Sequence, residues 1–186
     1  MKALGLLLAP GAGADRDQAT LVAMDRAATA AGLAVERMDF PYRKRGRRAP
    51  DRPPVLVQAV RDEAAALARR CAEMVLGGRS MGGRMCSVAV AEGLPAAGLL
   101  LISYPLHAPG KPAGASQRSE HFPRLDLPCL FISGTRDAFA TPAELEEATA
   151  LIPGPVTHRW IEGKDHALRG VDEVIVKEAL GWLGSL

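Results

Sequence analysis

Three side chains in this 186-residue chain could together activate a hydroxyl for attack on a carbonyl: Ser80, Asp137 and His166. A serine hydroxyl is a poor nucleophile until an imidazole takes its proton. The imidazole in turn needs a carboxylate to fix its tautomer and stabilise its cationic form. Ser80 lies in Gly78-Arg79-Ser80-Met81-Gly82, the pattern of a tight strand-to-helix turn that points a serine outward. In a chain with 19 glycines that pattern arises easily by chance, so its partners decide. They follow in the order Ser, Asp, His, each after an apolar run.

Other residues compete for each role. His107 follows the fourth apolar run and is the rival base; His158 falls inside the sixth run and His121 in a loop before the fifth. For the carboxylate, Asp165 adjoins His166 and points elsewhere, Asp126 precedes its run, and Asp39 ends the second. Chain order favours Asp137 and His166. Acyl transfer also needs donors for a developing oxyanion. The backbone amide of Met81, just after the serine, and that of Ala12, between Gly11 and Gly13, are the candidates. Gly11, Arg79, Tyr104 and His107 are expected to line the pocket, and Arg79 and Arg84 could favour an anionic substrate.

The elements that must hold these residues are read from periodicity. Short continuous apolar runs at 3–9, 33–38, 72–78, 97–103, 129–133 and 156–161 predict six strands, most of them covered on both faces. Between them, helical spacing predicts helices beginning at Asp15 or Asp17 and ending at Gly32, then over 55–71, 80–92, 141–151 and 171–183. Strands alternating with helices imply a mostly parallel sheet with helices on both faces, where ligands bind beyond the carboxyl ends of the strands. Segments 31–54 and 104–127 supply the loops near that end, which leaves minimal or no lid. The basic stretch 43–52 reads as a solvated surface loop.

Composition bounds the partners. With 48% hydrophobic and 24% charged residues, the chain suits one domain over 1–186 with a sizeable core. A net charge of +2 argues against nucleic acid as a global partner. Cys71, Cys86 and Cys129 have no metal-site or redox spacing and read as reduced thiols of a cytoplasmic protein. The first residues imitate a secretory signal, but their short apolar run and single lysine fit a first strand better. No run is long enough to span a membrane.

Taken together, Pro10-Gly11-Ala12-Gly13-Ala14, Phe40-Pro41-Tyr42, Ala49-Pro50-Asp51-Arg52-Pro53-Pro54, Gly77 to Arg84, Tyr104-Pro105-Leu106-His107, Pro109-Gly110-Lys111-Pro112, Gly134-Thr135-Arg136-Asp137 and Asp165-His166 resemble a small α/β hydrolase of the dienelactone-hydrolase-like group. The resemblance is strongest to the branch containing a subunit of the nonspecific lethal chromatin complex and testis-expressed relatives. Pro10 departs from it, standing where relatives commonly carry histidine. The resemblance implies a single-domain α/β-hydrolase fold and a serine hydrolase of small esters or thioesters, with no metal or organic cofactor. The competing expectation is a binding module on the same fold that offers the basic stretch to a protein or polyanion. A dienelactone-type enzyme ordinarily uses a cysteine nucleophile; Ser80 argues against one, and Cys86 lies too far along the helix to substitute.

Overall fold

The computed structural model describes residues 4–111 and 118–186. Ala3 and the middle of the expected excursion, 112–117, lie outside the described residues. Six strands form one parallel sheet: β1 (Gly5–Ala9), β2 (Ala34–Arg37), β3 (Met74–Arg79), β4 (Gly98–Ile102), β5 (Cys129–Gly134) and β6 (Val156–Ile161). Their spatial order is β2-β1-β3-β4-β5-β6, with every neighbouring pair parallel. The chain leaves β1 toward one edge and, after β2, returns to build toward the other. The crevice between the carboxyl ends of β1 and β3 is therefore the topological switch point.

The continuous apolar strands serve two cores because successive side chains point to opposite faces. Leu7, Leu76, Leu99, Leu101 and Phe131 pack on one face, against α3 (Pro53–Leu67) and α4 (Met81–Ala91) through Val57, Val60, Met85 and Ala89. Leu145 of α5 (Pro142–Thr149) joins the same core. Leu6, Leu8, Val75, Leu100, Ile102 and Leu130 pack on the other face, against α1 (Ala19–Ala30) and α6 (Asp172–Leu183) through Leu21, Met24, Ile175 and Ala179. The apolar N-terminal run thus becomes a fully buried inner strand.

Several boundaries differ from the sequence reading for local reasons. The first helix starts at Ala19, since Asp15 is engaged with Arg43 and with the amide of Asp17, and the residues before Ala19 form turns. The basic stretch is not all loop. Pro41–Lys44 forms a short helix, α2, anchored by buried Phe40 and Tyr42. Helix α3 ends at Leu67, and Cys71 turns inward beside Gly5, where a β-carbon on the glycine would meet its sulfur. Helix α5 has the expected start: Thr141 and Glu144 form a reciprocal capping box with Pro142 in the first turn.

Candidate active site

Strand β3 runs straight into Ser80, whose φ of 47° and ψ of −115° lie in a region that side-chain-bearing residues rarely occupy. The strain is held from both sides. Ser80 N–H donates to Ile102 O at 2.8 Å, and Ser80 O accepts from Arg84 N–H at 3.1 Å as α4 begins. A β-carbon on Gly78 would overlap the Ala9 carbonyl, and one on Gly82 would lie within 2.5 Å of Pro10 O. Glycine at these positions lets α4 close against the end of β1.

Asp137 sits in the turn after β5, where its N–H donates to Gly134 O at 3.2 Å. Its side chain is fully buried and accepts from Phe139 N–H at 2.8 Å. His166 lies in the loop after β6, its imidazole 21% exposed. Three contacts fix that loop. Gly163 N–H donates to Thr135 Oγ1 at 2.8 Å, Arg136 N–H donates to Lys164 O at 2.9 Å, and Arg79 Nη2 donates to His166 O at 2.8 Å.

These elements bring the three side chains into one hydrogen-bonded line. His166 Nδ1 is 2.8 Å and 3.0 Å from the two Asp137 carboxylate oxygens, and His166 Nε2 is 2.9 Å from Ser80 Oγ. A carboxylate can only accept from Nδ1, so in the neutral imidazole Nδ1 donates and Nε2 accepts from the serine hydroxyl. The arrangement can draw a proton from Ser80 as its oxygen attacks.

The glycine turn after β1 faces the serine. Gly11 N–H donates to Gln18 Oε1 and Gly13 N–H to Tyr42 Oη, each at 3.1 Å, and Ala14 N–H donates to Gly11 O. Among the described residues the Ala12 amide between them has no protein acceptor, and neither has that of Met81 in the first turn of α4. Both residues line a cleft of about 320 Å³ with Ser80, Leu56, Met85 and Phe139. The wall is mostly apolar, and the volume is at the small end for a ligand site.

A family model described as "Alpha/beta hydrolase domain" matches residues 2–174. The chain belongs to the α/β hydrolase family. Solved structures share the fold at low identity. Est1E from Butyrivibrio proteoclasticus aligns at a TM-score of 0.79 and 15% identity, over 99% of this chain and 88% of that one. Dienelactone hydrolase from Anabaena variabilis aligns at 0.77 and 18%, over 99% and 87%. A structure described with the metagenome-derived lipolytic enzymes LipS and LipT aligns at 0.73 and 17%, over 100% and 96%. At such identities the likeness concerns the fold.

Within this α/β hydrolase, the other residues singled out from sequence take different positions. Arg79 is not in the cleft. It is 6% exposed and runs behind the elbow, where its guanidinium donates to the carbonyls of His166 and Ala167 and to Thr20 Oγ1. Thr20 Oγ1 in turn donates to Asp172 Oδ1 at 2.6 Å. Tyr104 is also out of the cleft. Its ring packs against Phe122 and Phe131 and its hydroxyl donates to Arg118 O at 2.6 Å, while burial pushes the phenol well above its usual range. His107 turns away, with Nδ1 2.9 Å from Ala108 O and Nε2 3.3 Å from Glu144. Gly11 abuts the elbow through its backbone.

The rival residues are engaged elsewhere. His121 contacts Ser87 Oγ at 2.7 Å, His158 contacts Thr149 Oγ1 at 2.9 Å, Asp39 accepts from Arg16 N–H, and Asp165 accepts from Ala167 N–H. Cys86 is fully buried with its thiol pushed up to about 12 by desolvation, far from a reactive thiolate. Sequence reasoning missed Phe139, whose ring stacks on His166, and the place of Arg118 in the cleft, whereas Arg84, raised from sequence as favouring an anionic substrate, does line it. The spacing of Arg84, one helical turn after Ser80, accounts for its position.

Among the described residues no helix is long and apolar enough to cross a membrane, and no cluster of His, Cys, Asp and Glu could hold a metal ion.

Proposed function

We propose that the protein is a serine hydrolase of small carboxylic esters or thioesters, acting through an acyl-enzyme on Ser80. The observation that carries this reading is the line from Ser80 through His166 to Asp137, set on a strained turn at the switch point of the sheet. Ser80 Oγ attacks the carbonyl carbon while its proton passes to His166 Nε2, and buried Asp137 stabilises the resulting imidazolium. The carbonyl oxygen, now an anion, accepts from the Ala12 and Met81 amides, with the α4 N-terminus adding favourable field. Collapse breaks the bond to the leaving alcohol or thiol, which takes the proton from Nε2. Water then gives a proton to Nε2 as its oxygen attacks the acyl carbon; the acyl–Oγ bond breaks, Ser80 Oγ takes the proton back from Nε2, and the acid leaves. No metal or organic cofactor enters these steps. The small cleft favours short acyl groups.

A fluorophosphonate probe and a series of nitrophenyl esters of increasing acyl length test the reading. Labelling and turnover should both be present in the wild type and vanish in Ser80→Ala, with turnover lost also in His166→Ala. The competing reading, a binding module on the same fold that offers the basic stretch 43–52 to a protein or polyanion, gains if folded wild-type protein neither labels nor hydrolyses any ester. Its basic stretch has less free charge than the sequence suggests. Arg43 pairs with Asp15, Lys44 with Glu63, and Arg45 and Arg47 with Asp51.

A further inference from the structure

The cleft contains a guanidinium with no anion of its own. Arg84 follows Ser80 by one turn of α4, its N–H donating to Ser80 O, so the two side chains share the face that opens on the cleft. Most other arginines on the molecule are matched. Arg16, Arg37, Arg43, Arg45, Arg47, Arg61, Arg70 and Arg159 pair with carboxylates, and Arg79 is met by carbonyls. Among the described residues Arg84 makes no side-chain hydrogen bond or ion pair, and its Nε is buried without an acceptor. Residues 1–3 and 112–117 contain no Asp or Glu, so the rest of the chain has no carboxylate to offer.

The surroundings make the mismatch sharper. Leu56, Met81, Met85, Pro105 and Phe139 form an apolar wall, and burial pulls the Arg84 pKa down. Arg118 lines the same cleft and adds like charge. Asp51 is the one carboxylate among the lining residues, and it is already taken by Arg45 at 2.8 Å and Arg47 at 3.6 Å. A desolvated charge without a partner is costly, and a ligand that brings the missing anion relieves that cost on binding.

We propose that the substrate is a monoanion, an ester or thioester bearing a carboxylate that pairs with the Arg84 guanidinium while its scissile carbonyl lies at Ser80. A planar carboxylate matches the guanidinium fork in two parallel hydrogen bonds, and the apolar wall strengthens the pairing. The inference rests on the serine hydrolase reading and narrows its substrate.

Two matched ester pairs test it. Mono-4-nitrophenyl glutarate against its methyl ester puts the carboxylate on the acyl side; 4-acetoxybenzoate against its methyl ester puts it on the leaving group. In one pair the wild type should prefer the anion at least tenfold in kcat/KM. That ratio should collapse in Arg84→Gln and partly recover in Arg84→Lys. Equilibrium binding of the same compounds to Ser80→Ala should show the same preference without turnover, and Ser80→Ala/Arg84→Gln should lose it. Equal kcat/KM and equal affinity within both pairs overturn the anion site, while probe labelling of Ser80 would leave the hydrolase reading standing. If no ester is turned over and Ser80 does not label, the hydrolase reading fails, and the binding preference alone then upholds or overturns the anion site.

Discussion

The Phe139 ring lies on the His166 imidazole, with centroids 4.0 Å apart and planes inclined by 27°. The same residue's N–H donates to Asp137 at 2.8 Å, so Phe139 fixes both partners of the base pair at once. Phe139→Ala removes the ring and keeps the amide. We expect kcat/KM on a short nitrophenyl ester to fall about ten- to a hundredfold as the imidazole gains freedom. Phe139→Leu should lose less, since it still covers the imidazole. Steady-state kinetics of the two variants at fixed pH check this.

Ser80 stores strain that its hydroxyl alone justifies. Ser80→Ala keeps the side-chain penalty at φ 47°, whereas Ser80→Gly removes it. Both should lack turnover. Ser80→Gly should nonetheless be the more stable by about 1 kcal/mol, because relief of strain outweighs the added chain entropy of glycine. For a domain of this size that difference raises Tm by about 2–4 °C. Thermal melts of the two inactive variants decide it.

Arg79 should behave as a structural tie with a kinetic shadow. Its charge is buried and met by the carbonyls of the loop carrying His166. Arg79→Met leaves those carbonyls short of donors and Thr20 without its second partner. Unfolding stability should drop by about 2–4 kcal/mol, with a loss of kcat larger than any change in KM. Urea titration and kinetics on the folded fraction separate the two effects.

His121 gives the fold a pH dependence independent of catalysis. It is buried behind α4 against Ser87 and Phe122, and desolvation, then Arg84 and Arg124, lowers its pKa to about 4. The unfolded imidazole takes a proton near pH 6.5, the folded one only near 4. Between those values the unfolded state binds more protons, so stability falls as pH drops from about 6.5 and levels off below about 4, by about 3 kcal/mol in all. His121→Gln should flatten that part of the curve. Denaturant unfolding at pH 7, 5.5 and 4.5 measures it.

The alternating strands and helices, the elbow and the chain order of Ser80, Asp137 and His166 were legible because each leaves a local mark: an apolar run, a glycine pair, a position after a strand. The misreadings concern direction. Arg79 and Arg84 flank the same serine in sequence, yet Arg79 ends β3 and turns behind the sheet, while Arg84 follows by one helical turn and faces the cleft. Tyr104 and His107 follow β4 at the expected end of the sheet but are drawn inward by Arg118 O and Glu144. Phe139 left no mark, since an aromatic two residues after an acid acquires its role only when the loop after β6 folds over it.

The three buried thiols make the protein its own stopwatch for opening. Cys71 packs beside β1, Cys86 lies in α4 with its sulfur against Gly77 O, and Cys129 begins β5. Each samples a different part of the sheet, and an aromatic disulfide reagent can reach none of them without a local or global excursion. Their separate reaction rates would time how often the elbow helix lifts, how often the sheet parts at β5, and whether an occupied cleft slows the first more than the second.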